Sequence, residues 1–156
     1  MNPYDTAAIR AVWNRVLQPQ EDRPAAGMSL EERLKEMIAD EHADHHTYLA
    51  LARHAGPHAA ALRTLAMQED GHGRTLSALY YLLTGECYTP ETAACCPGNF
   101  CRALRERFNG ELEGAKQYRE AAERWPEHRS MFLKLAQDES RHSRVLHGIA
   151  CRMMRR

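Results

Sequence analysis

No stretch of this 156-residue chain stays apolar for the roughly 18 positions that a membrane-spanning helix requires, so no membrane span is expected. An excess of charge of one sign is also missing. Lys plus Arg and Asp plus Glu both number 21, and nothing electrostatic points to nucleic acid or a membrane surface as partner. A paired-cysteine framework is absent too: five cysteines at irregular spacing argue against a fully cross-linked extracellular domain. Met1–Gly27 is interrupted by Asp, Arg and Glu, unlike a secretory leader. A cytoplasmic protein of one domain with a real core is the expectation. What the chain holds in unusual number is histidine, nine in all.

Four of the chemistry-bearing residues recur in a gap-free repeat. Glu41, Tyr48, Glu69 and His72 reappear 70 positions later as Glu111, Tyr118, Glu139 and His142. Leu34, Ala52, Leu65, Ala66, Arg74 and Leu76 recur at the same offset, as do Glu36 and His58, which makes 12 identities between positions 34 and 76. Chance at typical residue frequencies would give about three. The repeated set is acidic and imidazole-bearing, and it sits in an apolar stripe.

Punctuation divides the chain into one short and four long helices. Ser29 and Glu32 form a capping box at the start of the first long helix, which is expected to reach about Ala55, ahead of Gly56-Pro57. The second continues to Thr84-Gly85. Residues 86–99, with two prolines, Gly98 and three cysteines, read as a long loop. The third helix runs from about Phe100 to Trp125, and Pro126 opens the fourth, which lasts to about Met153. Residues 1–28 read as an N-terminal arm, in which Asp5 or Thr6 caps a short helix through Leu17 and 18–27 is a linker; residues 29–156 form the main domain.

The stripes are Leu34, Ile38, Glu41, His45, Tyr48, Ala52 in the first long helix and Leu104, Phe108, Glu111, Ala115, Tyr118, Ala122 in the third. In the second, Leu62, Leu65, Glu69, His72 and Leu76 share a face; in the fourth, Phe132, Leu135, Glu139, His142 and Leu146 do. Alternating steps of three and four place each set on one side. Each face is apolar except at its middle. Glu41 lies 15 residues before Gly56 and Glu69 lies 13 after it, offsets that Glu111 and Glu139 repeat about Pro126. At about 1.5 Å per residue all four carboxylates stand roughly 20 Å from their turns, at one height. The short turns make each hairpin antiparallel. A pseudo-twofold between hairpins requires the loop to run the length of the bundle. Its 14 residues can reach about 46–50 Å, against roughly 39 Å for a 26-residue helix.

Four carboxylates and two imidazoles meeting in a bundle core cannot stay charged and dry alone, because an unpaired buried ion costs several kcal/mol. Few basic residues share these faces to pair with them. Two divalent cations would neutralise the four carboxylates, and Glu-x-x-His lets one helix offer an oxygen and a nitrogen to the same ion. Mixed oxygen and imidazole donors suit iron, or manganese, more than structural zinc. A lone Glu-x-x-His is a weak signal; two at matched height, with partner glutamates, make a specific one.

In Glu41 with Tyr48, Glu69-Asp70-Gly71-His72, Glu111 with Tyr118, and Glu139-Ser140-Arg141-His142, the chain resembles the rubrerythrin branch of the ferritin-like superfamily over about Ser29 to Met153. The resemblance implies a ferritin-like four-helix bundle of two antiparallel hairpins joined by a long crossover, with two iron ions (alternatively manganese). It also implies that Glu69 and Glu139 bridge, His72 and His142 bind one ion each, and Glu41 and Glu111 complete the set. Tyr48 and Tyr118 would hydrogen-bond carboxylates across the site; the other reading is ordinary core tyrosines. Rubrerythrins carry a further glutamate on the third helix where this chain has Gly114. Asp44 on the first helix could replace it or be merely solvated, and His45 could be an extra ligand or a core histidine. No Cys-x-x-Cys pair of a rubredoxin domain is present.

The implied activity is reduction of hydrogen peroxide or dioxygen with electrons from a separate donor such as a rubredoxin-type protein, in a homodimer. The alternatives are iron handling as a ferroxidase or store, a manganese catalase-like enzyme, and a substrate oxygenase. Cys87, Cys95, Cys96 and Cys101 cluster around the crossover; inert thiols are the preferred reading over a disulfide, a redox relay or a stray metal site. Cys151 reads as packing.

Overall fold

The computed structural model describes residues 28–91 and 98–154. The expected short helix through Leu17, its linker, and Cys95 and Cys96 lie outside the described residues. Four helices carry the fold: α1 (Leu30–Ala52), α2 (Ala59–Thr84), α3 (Phe100–Arg124) and α4 (Arg129–Met153). Among the described residues there is no strand, and no helix is long and apolar enough to cross a membrane.

Local chemistry sets the ends of these helices. The Ser29 backbone N–H donates to Glu32 Oε2 at 2.9 Å, and the Glu32 N–H donates to Ser29 Oγ at 3.1 Å, so two otherwise orphaned amides are satisfied at the start of α1. α3 opens on Asn99, whose Oδ1 accepts from the Arg102 N–H at 2.9 Å. α2 stops at Gly85, which adopts φ 75° and donates to Tyr81 O at 2.8 Å.

The hairpin turns differ from expectation in one respect. α1 ends at Ala52, three residues before Ala55, and the chain passes through a single 3₁₀ turn, Gly56–His58, before α2 begins. Gly56, at φ 51°, turns the chain in the left-handed region, and Pro57 brings no N–H to a ladder. The second hairpin has the same device in the 3₁₀ turn Pro126–His128, so α4 starts at Arg129 rather than at the proline. The 70-residue repeat thus extends through the turns, each ending on a histidine, His58 or His128.

Each hairpin is antiparallel, and the pairing between hairpins fixes the topology. Tyr48 on α1 donates to Glu111 on α3, and Tyr118 donates to Glu41. The earlier residue of one helix meets the later residue of the other, so α1 and α3 are antiparallel. Glu69 with His142 and His72 with Glu139 show the same for α2 and α4. α2 and α3 therefore run in one direction.

The interior consists of two apolar clusters with a polar layer between them. Leu34, Ile38, Leu76, Trp125, Phe132 and Leu135 belong to one; Leu51, Leu62, Leu65, Leu104, Leu146 and Ile149 belong to the other. Phe132, fully buried, lies with its ring centroid 6.3 Å from those of both Tyr118 and Trp125. Burying such side chains contributes about 1.5–3 kcal/mol each. These clusters hold the four helices at the spacing that brings the middle layer together.

Candidate metal centre

The middle layer is made of Glu41 from α1, Glu69 and His72 from α2, Glu111 from α3, and Glu139 and His142 from α4, all buried. Each pair on α2 and α4 is spaced i, i+3, so its two side chains rise from one helix face. The His72 Nδ1 atom lies 3.4 Å from Glu41 Oε2, 3.1 Å from Glu69 Oε2 and 3.0 Å from Glu139 Oε1. His142 Nδ1 lies 2.9 Å from Glu69 Oε1, 3.3 Å from Glu111 Oε2 and 3.9 Å from Glu139 Oε1. The two imidazoles stack, with centroids 5.4 Å apart and planes 16° from parallel. Glu69 and Glu139 face both histidines, whereas Glu41 belongs to the His72 half and Glu111 to the His142 half.

The electrostatics are those of a crowded, dry cluster. Burial, with Glu69 nearby, pushes the Glu41 carboxyl up to about 7, against the pull of His72. Burial likewise pushes Glu139 up to about 9. Burial works to raise Glu69 too, but the facing His142 and His72 imidazoles outweigh it and hold this carboxyl below its ordinary value. For the imidazoles burial opposes charge, yet the facing carboxylates raise His72 to about 12 and His142 to about 10. Tyr48 and Tyr118 are driven well above the ordinary phenol range, first by burial and then by Glu111 and Glu41. Both phenols therefore stay protonated and act as donors.

Hydrogen bonding within the layer is incomplete. Both oxygens of Glu69, Glu111 Oε2, Glu139 Oε1, His72 Nδ1 and both nitrogens of His142 are buried without a well-formed hydrogen bond. Groups so placed normally find partners, since each orphan costs about 1–3 kcal/mol. Their donor atoms converge instead. One atom each from Glu41, Glu69, His72 and Glu139 lies within 4.8 Å of the others, and the same holds for Glu111, Glu139 and His142. An oxygen-and-imidazole set of this kind fits divalent first-row ions.

The structure does not bring Asp44 and His45 into this group. Three positions past Glu41, Asp44 is rotated about 60° from it on the helix, and it pairs with Arg107 of α3. His45 lies about 40° to the other side, where its Nδ1 meets the Ala66 carbonyl at 2.7 Å. Tyr48 and Tyr118 do reach carboxylates across the site, each on the opposite hairpin's glutamate. Cys87 and Cys101 are exposed free thiols, and Cys151 is a half-buried one.

One residue at the centre went unnoticed in the sequence. Asp138, buried beside Glu139, places Oδ2 3.6 Å from His72 Nε2, behind the imidazole. Burial acts to raise its carboxyl, but Lys134 and Arg141, at 2.5 Å each, hold it below the ordinary value. It is an anion facing the outer edge of the His72 ring, across a gap longer than a hydrogen bond. The signal was available: Asp138 has basic neighbours four before and three after, on the face adjoining Glu139.

Fold and site together define an all-α four-helix bundle with a buried carboxylate–imidazole layer whose atoms could hold metal ions. The chain is 31% identical over 97 residues to the uncharacterized protein YhjR of Bacillus subtilis (strain 168), an alignment covering 61% of this chain and 67% of that protein. It belongs to the same family as YhjR. No family model matches the sequence, and no solved structure matches it.

Proposed function

We propose that this protein is a ferritin-like di-iron carboxylate redox protein of the rubrerythrin type, which reduces hydrogen peroxide or dioxygen with electrons from a separate donor such as a rubredoxin-type protein. The observation that carries the reading is the two-halved layer itself: Glu69 and Glu139 face both histidines, and each half adds one glutamate held by a tyrosine of the other hairpin. Glu41 and His72 would hold one ion and Glu111 and His142 the other, with Glu69 and Glu139 shared. When bound, two iron ions supply two electrons and Lewis acidity to a small oxidant. Peroxide would take up those electrons with two protons and leave as two waters.

The protein's own part is orientation and access. Tyr118 and Tyr48 fix one oxygen of Glu41 and of Glu111, and the Asp138 carboxylate places a negative charge 3.6 Å behind His72. A cavity of about 290 Å³ between α1 and α3 reaches Glu41 and Glu139 from outside, with the Asp44–Arg107 pair also in its wall. Gly110 and Gly114 line it; a Cβ at Gly114 would sit 3.3 Å from Glu139 Oε2. Where rubrerythrins carry the further glutamate, this chain keeps space next to Glu139. That leaves a small oxidant a way in to Glu139.

The deciding experiment is metal analysis followed by peroxide consumption with the reduced protein, alongside sedimentation, for which a dimer is expected. Turnover no faster than that of free ferrous iron removes the peroxidase reading, and a large closed shell favours iron storage. Glu69→Ala with Glu139→Ala should abolish metal binding; retained stoichiometry refutes the shared-ligand assignment.

A further inference from the structure

The outer flank of α1 carries two histidines that the buried layer does not use. His42 and His46 are four residues apart and therefore on one face. Their Nε2 atoms stand 3.3 Å apart, with ring centroids at 4.5 Å and planes 77° to each other. Two imidazole nitrogens bound tetrahedrally to a first-row ion, at about 2.05 Å each, are separated by about 3.3–3.4 Å. The pair is already spaced as a chelate, and both rings are only half-buried.

The position of the pair matters as much as its spacing. His45, whose ring centroid is 5.1 Å from that of His46, uses Nδ1 on the Ala66 carbonyl. Nδ1 therefore carries the proton and Nε2 keeps its lone pair. His42 and His45 line a cleft of about 200 Å³ between α1 and α2, together with Asp70 and the otherwise buried Glu69. The cleft thus joins His42 to a carboxylate of the interior layer by way of His45, while Asp70 in its wall is paired with Arg74.

We infer that His42 and His46 chelate a divalent first-row ion at the protein surface, and that this ion passes from His42 by way of His45 to Glu69. The pair is a capture site for the buried centre, and in that role it rests on the reading of the centre given above. Imidazole suits iron, nickel, copper and zinc alike, and Ni²⁺ binds nitrogen sites more tightly than Fe²⁺, which makes it the better probe.

The test uses the full-length, metal-stripped protein. Equilibrium dialysis with Ni²⁺, and paramagnetic broadening of the His42 and His46 ring signals, should reveal one ion whose affinity falls at least about tenfold in His42→Ala/His46→Ala. Glu69→Gln/Glu139→Gln should retain it. Stopped-flow absorbance with limiting Co²⁺ should show the buried centre filling about tenfold more slowly in the histidine variant, to the same final extent. Equal Ni²⁺ affinity in wild type and histidine variant overturns the chelate, as does the finding that the two rings only share a proton. Unchanged Co²⁺ filling overturns the capture role. If Co²⁺ never reaches the interior of either protein, the reading of the buried centre fails, and the Ni²⁺ result still decides the surface site on its own.

Discussion

Stripped of metal, this protein should lose stability as pH rises through neutrality, the opposite of ordinary acid denaturation. Glu139, pushed up to about 9, and Glu41, pushed up to about 7, start from 4.5, and burial is the main cause in both. His72 and His142, raised to about 12 and about 10 from 6.5, gain more from the facing carboxylates than burial takes away. All four hold a proton more tightly in the folded chain than in the unfolded one. The histidine contribution is complete below about pH 6.5 and is lost as pH climbs through 10 and 12. The glutamates cost nothing below about pH 4.5, and their penalty accumulates as pH rises towards 7 and 9. Glu69 runs the other way: held below 4.5, it withdraws stability when the pH falls further. The maximum therefore lies near about pH 4.5–5. Between pH 6 and 8 the folded layer holds at least one more proton than the unfolded chain, shared among these groups. One net proton gives about 1.4 kcal/mol per pH unit, against a total stability of about 5–15 kcal/mol. Urea denaturation in the presence of a chelator, at half-unit intervals from pH 5 to 8, measures the slope. With two equivalents of divalent metal added, the slope should flatten or reverse, because the ions compete with those protons. A metal-free protein whose stability stays level or rises between pH 6 and 8 would show that the carboxylates and imidazoles do not share a dry layer.

Other perturbations probe the supporting groups. Tyr118→Phe and Tyr48→Phe should each lower metal affinity by about 10–100-fold while leaving the fold intact, measured by competition with a chromophoric chelator; no change in either means that the phenols only pack. Asp138→Asn should weaken metal binding in the same range, and it should shift the His72 ring resonances but not those of His142. Phe132→Ala, which empties a fully buried site between Tyr118 and Trp125, should cost about 3–5 kcal/mol in chemical denaturation. Ser29→Ala, which breaks the capping box of α1, should cost about 0.5–2 kcal/mol and leave metal stoichiometry unchanged.

Much of this architecture was readable in the linear chain. Intervals of three and four place Glu41, Glu69, Glu111 and Glu139 on apolar faces, and matched offsets from Gly56 and Pro126 set them at one level. Both follow from helical geometry, which is local: a residue's angle and height depend only on its distance from the ends of its own helix. The same locality made the Ser29 cap and the Gly85 stop legible. The turns were placed less well, since a proline at a hairpin turn admits either a helix start or the 3₁₀ turn that forms at both Pro57 and Pro126.

What surrounds the layer followed a different logic. Asp44 and His45 flank Glu41 by tens of degrees, and which of them reaches the interior depends on how α1 is rolled against α2 and α3. Packing sent Asp44 to Arg107 and His45 to Ala66. Asp138 gained its place behind His72 from the register of α4 against α2, and the cavity beside Gly114 from the separation of α1 and α3. Residue spacing along one helix fixes a direction from that helix's axis; a partner on another helix is settled by roll, register and distance between axes, quantities that exist once the helices have packed.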